Sequence, residues 1–392
     1  MNTDSKKLLY DLFQAYYDAR RNKRNTINAL SFEIDYVAKL FELYEEIKNG
    51  KYKINPSICF ISFKPVQREI FATDFKDRII HHLICNYISP FFERLFISDS
   101  YSCRVDKGTS YGIKRLDHFI RSCSDNYKRD CYILKLDIKG YFMAIDHSVL
   151  YQKVEKTVNR FRNEANFDVD LILRLTRQVI FHNHIKDYCL KGTKQDWQGL
   201  PKSKSLFWAE ENKGLPIGNL SSQLFGNVYL NDFDHFIKHK LGCKYYGRYV
   251  DDFVIVHQDK QYLKSIIPVL RKYLQDELSL ELHPNKIYLQ HFSKGVPFLG
   301  TIIKPYRIYI RNQTKGSFYK KIQYWNDFME REHEFTKESL NQFLASMNSY
   351  LGIVGQHSTY KLRKKMLNEN LSLRFGDYIN VKNNYAKLVV KN

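Results

Sequence analysis

Apolar residues return every three or four positions through residues 7–20 and again through 34–48, the spacing of helices with one buried face. Asn49-Gly50 supplies the stop for the second. The period then changes to two. Residues 57–63 and 66–71 alternate around Lys64-Pro65, which predicts a hairpin, and Asp74 opens a long helix running to about Leu95. Alternation returns at 131–138, and the polar group Asp146-His147-Ser148 announces another helix. Helices near 148–160 and 168–181 and a hairpin-like stretch over 184–208 precede a helical pattern from 220 to 240. Tyr245, Tyr246 and Tyr249, then Phe253 to Val256, predict two strands joined by a tight turn. A helix over 260–275, strands near 278–282 and 286–289, and a hairpin at 298–303 follow. Helical spacing dominates afterwards, over 318–332, 337–351 and 360–367. Residues 376–392 carry no clear pattern, and no internal repeat is visible.

The predicted turn after Tyr249 carries two adjacent carboxylates, Asp251 and Asp252, between apolar runs. Like charges side by side repel, and a divalent cation removes that penalty; hard oxygen ligands suit magnesium, with manganese as a substitute. An ordinary Asp-containing turn is the competing account. A third carboxylate in matching context, Asp137 at the end of the 131–138 strand, favours the metal. Two strand ends carrying Asp137 and the Asp251/Asp252 pair, with Ile138 as a neighbouring ligand position, can converge on two magnesium ions. One ion would activate a primer 3′-oxygen and the other would neutralise a triphosphate and its leaving pyrophosphate. That chemistry is nucleotidyl transfer.

Four motifs then make the resemblance specific. Leu136-Asp-Ile-Lys-Gly-Tyr-Phe142, Gly214-Leu-Pro-Ile-Gly-Asn-Leu-Ser-Ser-Gln223, Tyr249-Val-Asp-Asp252 and Phe298-Leu-Gly300 resemble, in order and spacing, the palm motifs of reverse transcriptases. The resemblance covers roughly residues 60–375. It implies an α+β right-hand polymerase with fingers, an antiparallel palm sheet with helices, and a helical thumb. Phe142, beside Tyr141, stands where that family places an aromatic gate; a ring beneath the sugar leaves no room for a 2′-hydroxyl and selects deoxynucleotides by repulsion. Lys64 and Arg68 match fingers residues that reach the triphosphate. Lys286 matches a lysine aimed at the leaving pyrophosphate, where an ammonium can donate a proton. Arg104 matches a template contact, and Phe298, Leu299 and Gly300 a primer grip. The basic run Lys361, Arg363, Lys364 and Lys365 suits the backbone of an A-form-like hybrid. Asp77 and Arg78 match a family signature but suit a structural ion pair.

Ile217-Gly218 followed by Ser222-Gln223 departs from the common pattern, in which a glutamine touches the incoming nucleotide. It resembles the reverse transcriptases of diversity-generating retroelements, which copy a template RNA with frequent errors at adenines. An apolar Ile217 where others hydrogen-bond would discriminate less. Gly218 allows close backbone approach and Gln223 faces template or nucleotide. The resemblance further implies a specific template RNA and its hybrid with cDNA, deoxynucleoside triphosphates, and a basic helical accessory variability protein as partners. A solitary or phage-defence reverse transcriptase, an intron-mobility enzyme and a non-catalytic RNA-binding scaffold are the alternatives.

Composition narrows the setting. The resemblance implies that the 392 residues divide as a helical extension (1–55), fingers (56–130), palm (131–303, with a spacer at 151–213) and thumb with tail (304–392). Lysine and arginine outnumber the acids 62 to 42, a formal charge of +20 that fits a polyanionic partner. Residues 20–24 are a basic cluster suited to RNA or to solvent. No stretch reaches the ~18–20 apolar residues of a membrane span, and the start lacks a signal-peptide profile. Seven dispersed cysteines without a Cys-x-x-Cys pair read as free thiols in a cytoplasmic protein.

Overall fold

A computed structural model describes residues 3–21, 23, 25–63 and 66–391, so Arg24 and Lys64 lie outside the described residues. Two compact units emerge: Met1–Gly108 with Lys135–Ile255 and Gln261–Tyr288, and Thr109–Leu134 with Val256–Lys260 and Leu289–Asn392.

The first unit opens with helices Thr3–Arg20, Ile27–Glu33 and Tyr36–Lys48. Tyr16 stacks on Tyr36 with ring centroids 4.8 Å apart, and Phe32 tilts against Phe75 of the long helix Phe75–Leu95. Asp74 caps that helix by accepting from Lys76 N at 3.0 Å. The predicted first hairpin forms from Ser57–Ser62 and Arg68–Ala72, paired antiparallel. Its third strand was hidden: Tyr188–Leu190 joins Ser57–Ser62 in parallel. The stretch over 184–208 is therefore one short strand followed by 3₁₀ turns, not a hairpin of its own. Buried Glu69 explains why it settles there. Its carboxylate accepts from Trp197 Nε1, Ser205 Oγ and the Leu206 amide, each at 2.6 Å. A buried charge needs such a full set of donors.

A four-stranded sheet has the order Tyr245–Tyr249, Asp252–His257, Tyr132–Leu136, Tyr288–His291. The spacer helices His147–Arg160 and Val169–Phe181 are capped by Asp146 and Asp168. The pattern at 220–240 resolves into Leu220–Tyr229, Asn231–His235 and a π turn, Phe236–Lys240. Helix Lys260–Leu278 outruns its predicted end, so 278–282 supplies only an isolated bridge, Leu282 to Ile138. Asp77 is not ion-paired to Arg78 as the sequence suggested. It accepts from Tyr52 Oη at 2.7 Å and Asn55 N at 2.9 Å, because it points into the unit's interior.

In the second unit, helix Thr109–Cys123 accompanies a three-stranded antiparallel sheet, Arg307–Ile310, Thr301–Lys304, Val296–Phe298. Helices Asn312–Glu332, Lys337–Gly355 and Tyr360–Glu369 bury Phe318, Trp325, Phe343, Met347 and Met366 in a core. The patternless tail is an antiparallel hairpin, Ile379–Lys382 with Lys387–Val390. Asn348 clips it to its helix through both the amide and the carbonyl of Leu388. Its turn runs through Asn383, Asn384 and Tyr385, all left-handed; the two asparagines, which tolerate that conformation, are the signal the apolar pattern lacks.

Candidate active site

Asp137 follows directly on the strand Tyr132–Leu136, Asp251 sits in the turn, and Asp252 begins the next strand. Adjacent order in the sheet brings the two strand ends side by side. The three carboxylates sense one another. Asp251 is pushed up to about 6, first by loss of water and then by the charges of Asp137 and Asp252. Burial also raises Asp252, against the pull of Lys135. Two ammonium groups offset this negative field: Lys286 Nζ donates to Asp137 Oδ1 at 2.9 Å, and Lys135 Nζ stands 3.2 Å from Asp252 Oδ2.

Among the described residues, no three ligand-type side chains are gathered closely enough to hold a metal ion. Lysines sit on two of the three carboxylates, Lys286 on Asp137 and Lys135 on Asp252. The donor set still fits a divalent ion: three hard oxygen ligands in a mutually repelling field that draws cations. Ile138 is compatible as a backbone ligand. The bridge to Leu282 is closed by Lys139 N to Glu281 O and His283 N to Asp137 O, both 2.9 Å, so the Ile138 carbonyl takes no part in it.

Tyr141 is buried, with its hydroxyl donating to the Gly226 carbonyl, while Phe142 lies half-buried over the same glycine. A Cβ at Gly226 would stand 3.3 Å from Phe142 Cε1, so the glycine lets the ring lie close to the helix. Phe142 and Ile217 pack on one cluster, Cys59, Phe71, Met143 and Leu206. Ile217 also accepts from Phe71 N at 3.1 Å, tying its loop to the first hairpin. Gly218 has φ +126, and a Cβ there would meet Ile70 Cγ2 at 2.9 Å. Gln223 is exposed on the first turn of helix Leu220–Tyr229. Arg68 is exposed; burial raises the Tyr249 hydroxyl, and the Arg68 charge pulls the other way.

Other predicted contacts are placed differently. The Arg104 side chain is only 6% exposed; it pairs with Glu93 at 2.8 Å and donates to the Ile97 and Ser100 carbonyls at 2.7 and 3.1 Å. Its guanidinium is engaged by these three partners. In the second unit, Lys361, Lys364 and Lys365 are exposed, but Arg363 is 8% exposed and donates to Asn384 O. Two residues along a helix turn a side chain some 200° away, whereas three or four return it to the same face. Phe298 is buried, while Leu299 (φ +45) and the exposed Gly300 (φ +84) form the tip of their hairpin. Lys135 was missed, although it shares a strand face with Asp137 two residues on. Arg248, buried against Asp234, left no trace in the sequence pattern.

The family model described as reverse transcriptase (RNA-dependent DNA polymerase) matches residues 64–303. Protein YkfC of Escherichia coli (strain K12) is 22% identical over 308 residues, covering 70% of this chain and 73% of that protein. Among solved structures, apo telomerase of Candida tropicalis, truncated from its C-terminal domain, is similar at 12% identity and TM-score 0.47, over 66% of this chain and 55% of its own. Telomerase of Candida albicans, in complex with a TWJ fragment of telomeric RNA, is similar at 12% identity and TM-score 0.46, over 82% of this chain. The chain spans 55% and 64% of the length of those two telomerase chains.

Proposed function

Because this chain belongs to the reverse transcriptase (RNA-dependent DNA polymerase) family, we propose that it copies an RNA template into DNA at Asp137, Asp251 and Asp252. The observation that supports the assignment is that Asp137 and the Asp251/Asp252 turn lie at the ends of neighbouring strands, with Lys286 on Asp137 and Lys135 on Asp252. Reverse transcriptases generally use divalent ions, typically Mg²⁺. Bound to Asp137, Asp251, Asp252 and the Ile138 carbonyl, two such ions would acidify the primer 3′-hydroxyl and neutralise the triphosphate.

The chain's own residues do the rest. Arg68, exposed beside Tyr249, offsets triphosphate charge. Lys286 has a half-exposed side chain, 51% accessible, so it can leave Asp137 and donate a proton to the departing pyrophosphate. Phe142, backed by Gly226, excludes a ribose 2′-hydroxyl. In the second unit, the hairpin tip at Leu299-Gly300 serves the primer, and Lys361, Lys364 and Lys365 hold hybrid phosphates. These parts would form fingers, palm and thumb.

Within the family, the Ile217-Gly218 and Ser222-Gln223 pattern favours a diversity-generating retroelement enzyme, cytoplasmic, error-prone at template adenines, and partnered by a template RNA and a basic helical accessory protein. Ile217 contacts through packing rather than a polar group, which supports relaxed selection of the nascent pair. Primer extension on an adenine-containing RNA tests both levels. Incorporation of deoxynucleotides, abolished by Asp251→Ala, is expected, with misincorporation opposite adenine that Ile217→Gln reduces. Activity surviving Asp251→Ala defeats the catalytic assignment; an error rate unmoved by Ile217→Gln, or genomic neighbours lacking paired template and variable repeats, defeats the finer one and favours a solitary or defence enzyme.

A further inference from the structure

The turn that carries Asp251 is held in a conformation its own sequence disfavours. Val250 sits at φ +57, a left-handed backbone that a β-branched residue adopts only under constraint. Arg248 supplies the constraint. Its side chain is fully buried, with Nε and Nη2 forked onto Asp234 at 2.7 and 2.6 Å. Nη1 donates to the Val250 carbonyl at 2.9 Å and to Asn227 Oδ1 at 3.3 Å. Tyr246 Oη adds another donor to Asp234, and Asn227 is itself anchored by donating to Ser102 O at 2.8 Å. The strand beneath is locked too: Arg248 N donates to Asp99 O and Tyr101 N to Arg248 O, both at 2.9 Å.

A buried ion pair is weak evidence for stability, since desolvating two charges offsets most of their attraction. What the planar fork of arginine adds is geometry: two bonds fix it on Asp234 while a third nitrogen reaches the turn. Asn227 lies on the same helix, Leu220–Tyr229, as Gln223. We propose that Arg248 is a positioning residue for polymerisation, holding the left-handed Val250 turn so that Asp251 is correctly aimed, and linking that aim through Asn227 to the helix facing the nucleotide. The proposal rests on the catalytic assignment of Asp251.

Steady-state primer extension with Arg248→Lys tests it, at a temperature where melting curves show the variant folded. Misplacing the carboxylate should lower kcat about 100-fold. The KM for deoxynucleotide should move less than about threefold, because groups that touch the nucleotide are intact. Glycine adopts the left-handed backbone without a Cβ penalty. In a Val250→Gly background the loss caused by Arg248→Lys should therefore shrink by about tenfold. A pair that only stabilises the fold would leave the kcat of the folded variant near wild type, and an equal loss in both backgrounds would exclude the turn as its route; either result overturns the proposal. Should Arg248→Lys fail to fold, Tyr246→Phe removes one donor from Asp234 while keeping the packing. It should lower kcat about fivefold at constant KM, and an unchanged kcat overturns the proposal. Asp251→Ala separates the two levels. An active Asp251→Ala enzyme defeats the catalytic assignment, whereas an inactive one beside a wild-type-like Arg248→Lys defeats the clamp alone.

Discussion

Lys286 Nζ meets Asp137 Oδ1 at 2.9 Å across 149 residues of sequence. The same ammonium that steadies the carboxylate without metal is the group proposed to protonate the leaving pyrophosphate. Lys286→Met should therefore reduce kcat by about 100-fold, the scale of a lost general acid. Lys135, at 3.2 Å from Asp252, has only the steadying part. Lys135→Met removes a cation that competes with metal, so half-maximal extension should need several-fold less Mg²⁺. A magnesium titration of the two variants separates the roles.

The raised carboxyl of Asp251 predicts an acid limb. Metal binding needs the ionised form, so Mg²⁺ affinity should fall as pH drops through about 6. Asp137→Asn removes a metal ligand together with a repelling charge and should weaken Mg²⁺ binding at every pH. Calorimetric Mg²⁺ titrations between pH 5 and 8 read both effects.

Asp77 predicts a stability slope of the opposite kind. Burial pushes its carboxyl up to about 7, against an ordinary value of 3.8. The folded chain therefore holds a proton that the unfolded chain releases over this window, and stability is lost as pH rises from 4 through 7. Asp77→Asn removes the charge, keeps one acceptor oxygen for the Asn55 amide and turns its NH2 toward the Tyr52 hydroxyl, which can accept. Urea melts at pH 5 and pH 8 should differ less in the variant. His81 works in the other direction. Burial pushes it down to about 3, so its contribution is complete above 6.5 and lost as pH falls.

Phe142→Val should open the space beneath the sugar. Discrimination against ribonucleotides is expected to fall by about 100-fold, the scale of a lost steric contact. Competing dNTP and rNTP extension measures it, and an unchanged ratio removes Phe142 from the gate.

The helix Tyr360–Glu369 separates binding from folding on opposite faces. Replacing Lys361, Lys364 and Lys365 with alanine should weaken hybrid binding and reduce the slope of log K against log salt by about 2–3. Arg363→Ala should leave that slope alone and lower the melting temperature, since its guanidinium is buried and bonded to Asn384. Filter binding at several salt concentrations and thermal melts distinguish the two.

Much of this was legible in one dimension. Asp137, Asp251 and Asp252 stand out because carboxylates at the ends of apolar alternation are a local pattern, and Asp146 and Asp168 announce their helices for the same reason. That Arg104 and Arg363 have bonded, largely buried side chains is not legible in the sequence, because a positive charge looks alike on the surface and in a bonded interior. The third strand, Tyr188–Leu190, was misassigned because its partner lies over a hundred positions away.

By itself the amino-acid order determined the period of each element, the acidic residues at the strand ends and the aromatic beside them, since side-chain type and spacing are properties of neighbours. Only the tertiary structure decided which cations sit on those acids, that Glu69 anchors the spacer, and that Arg248 reaches back to Val250. Each of those depends on groups brought together by burial. There an unpaired charge is costly enough to choose its own partner, however far along the chain that partner lies.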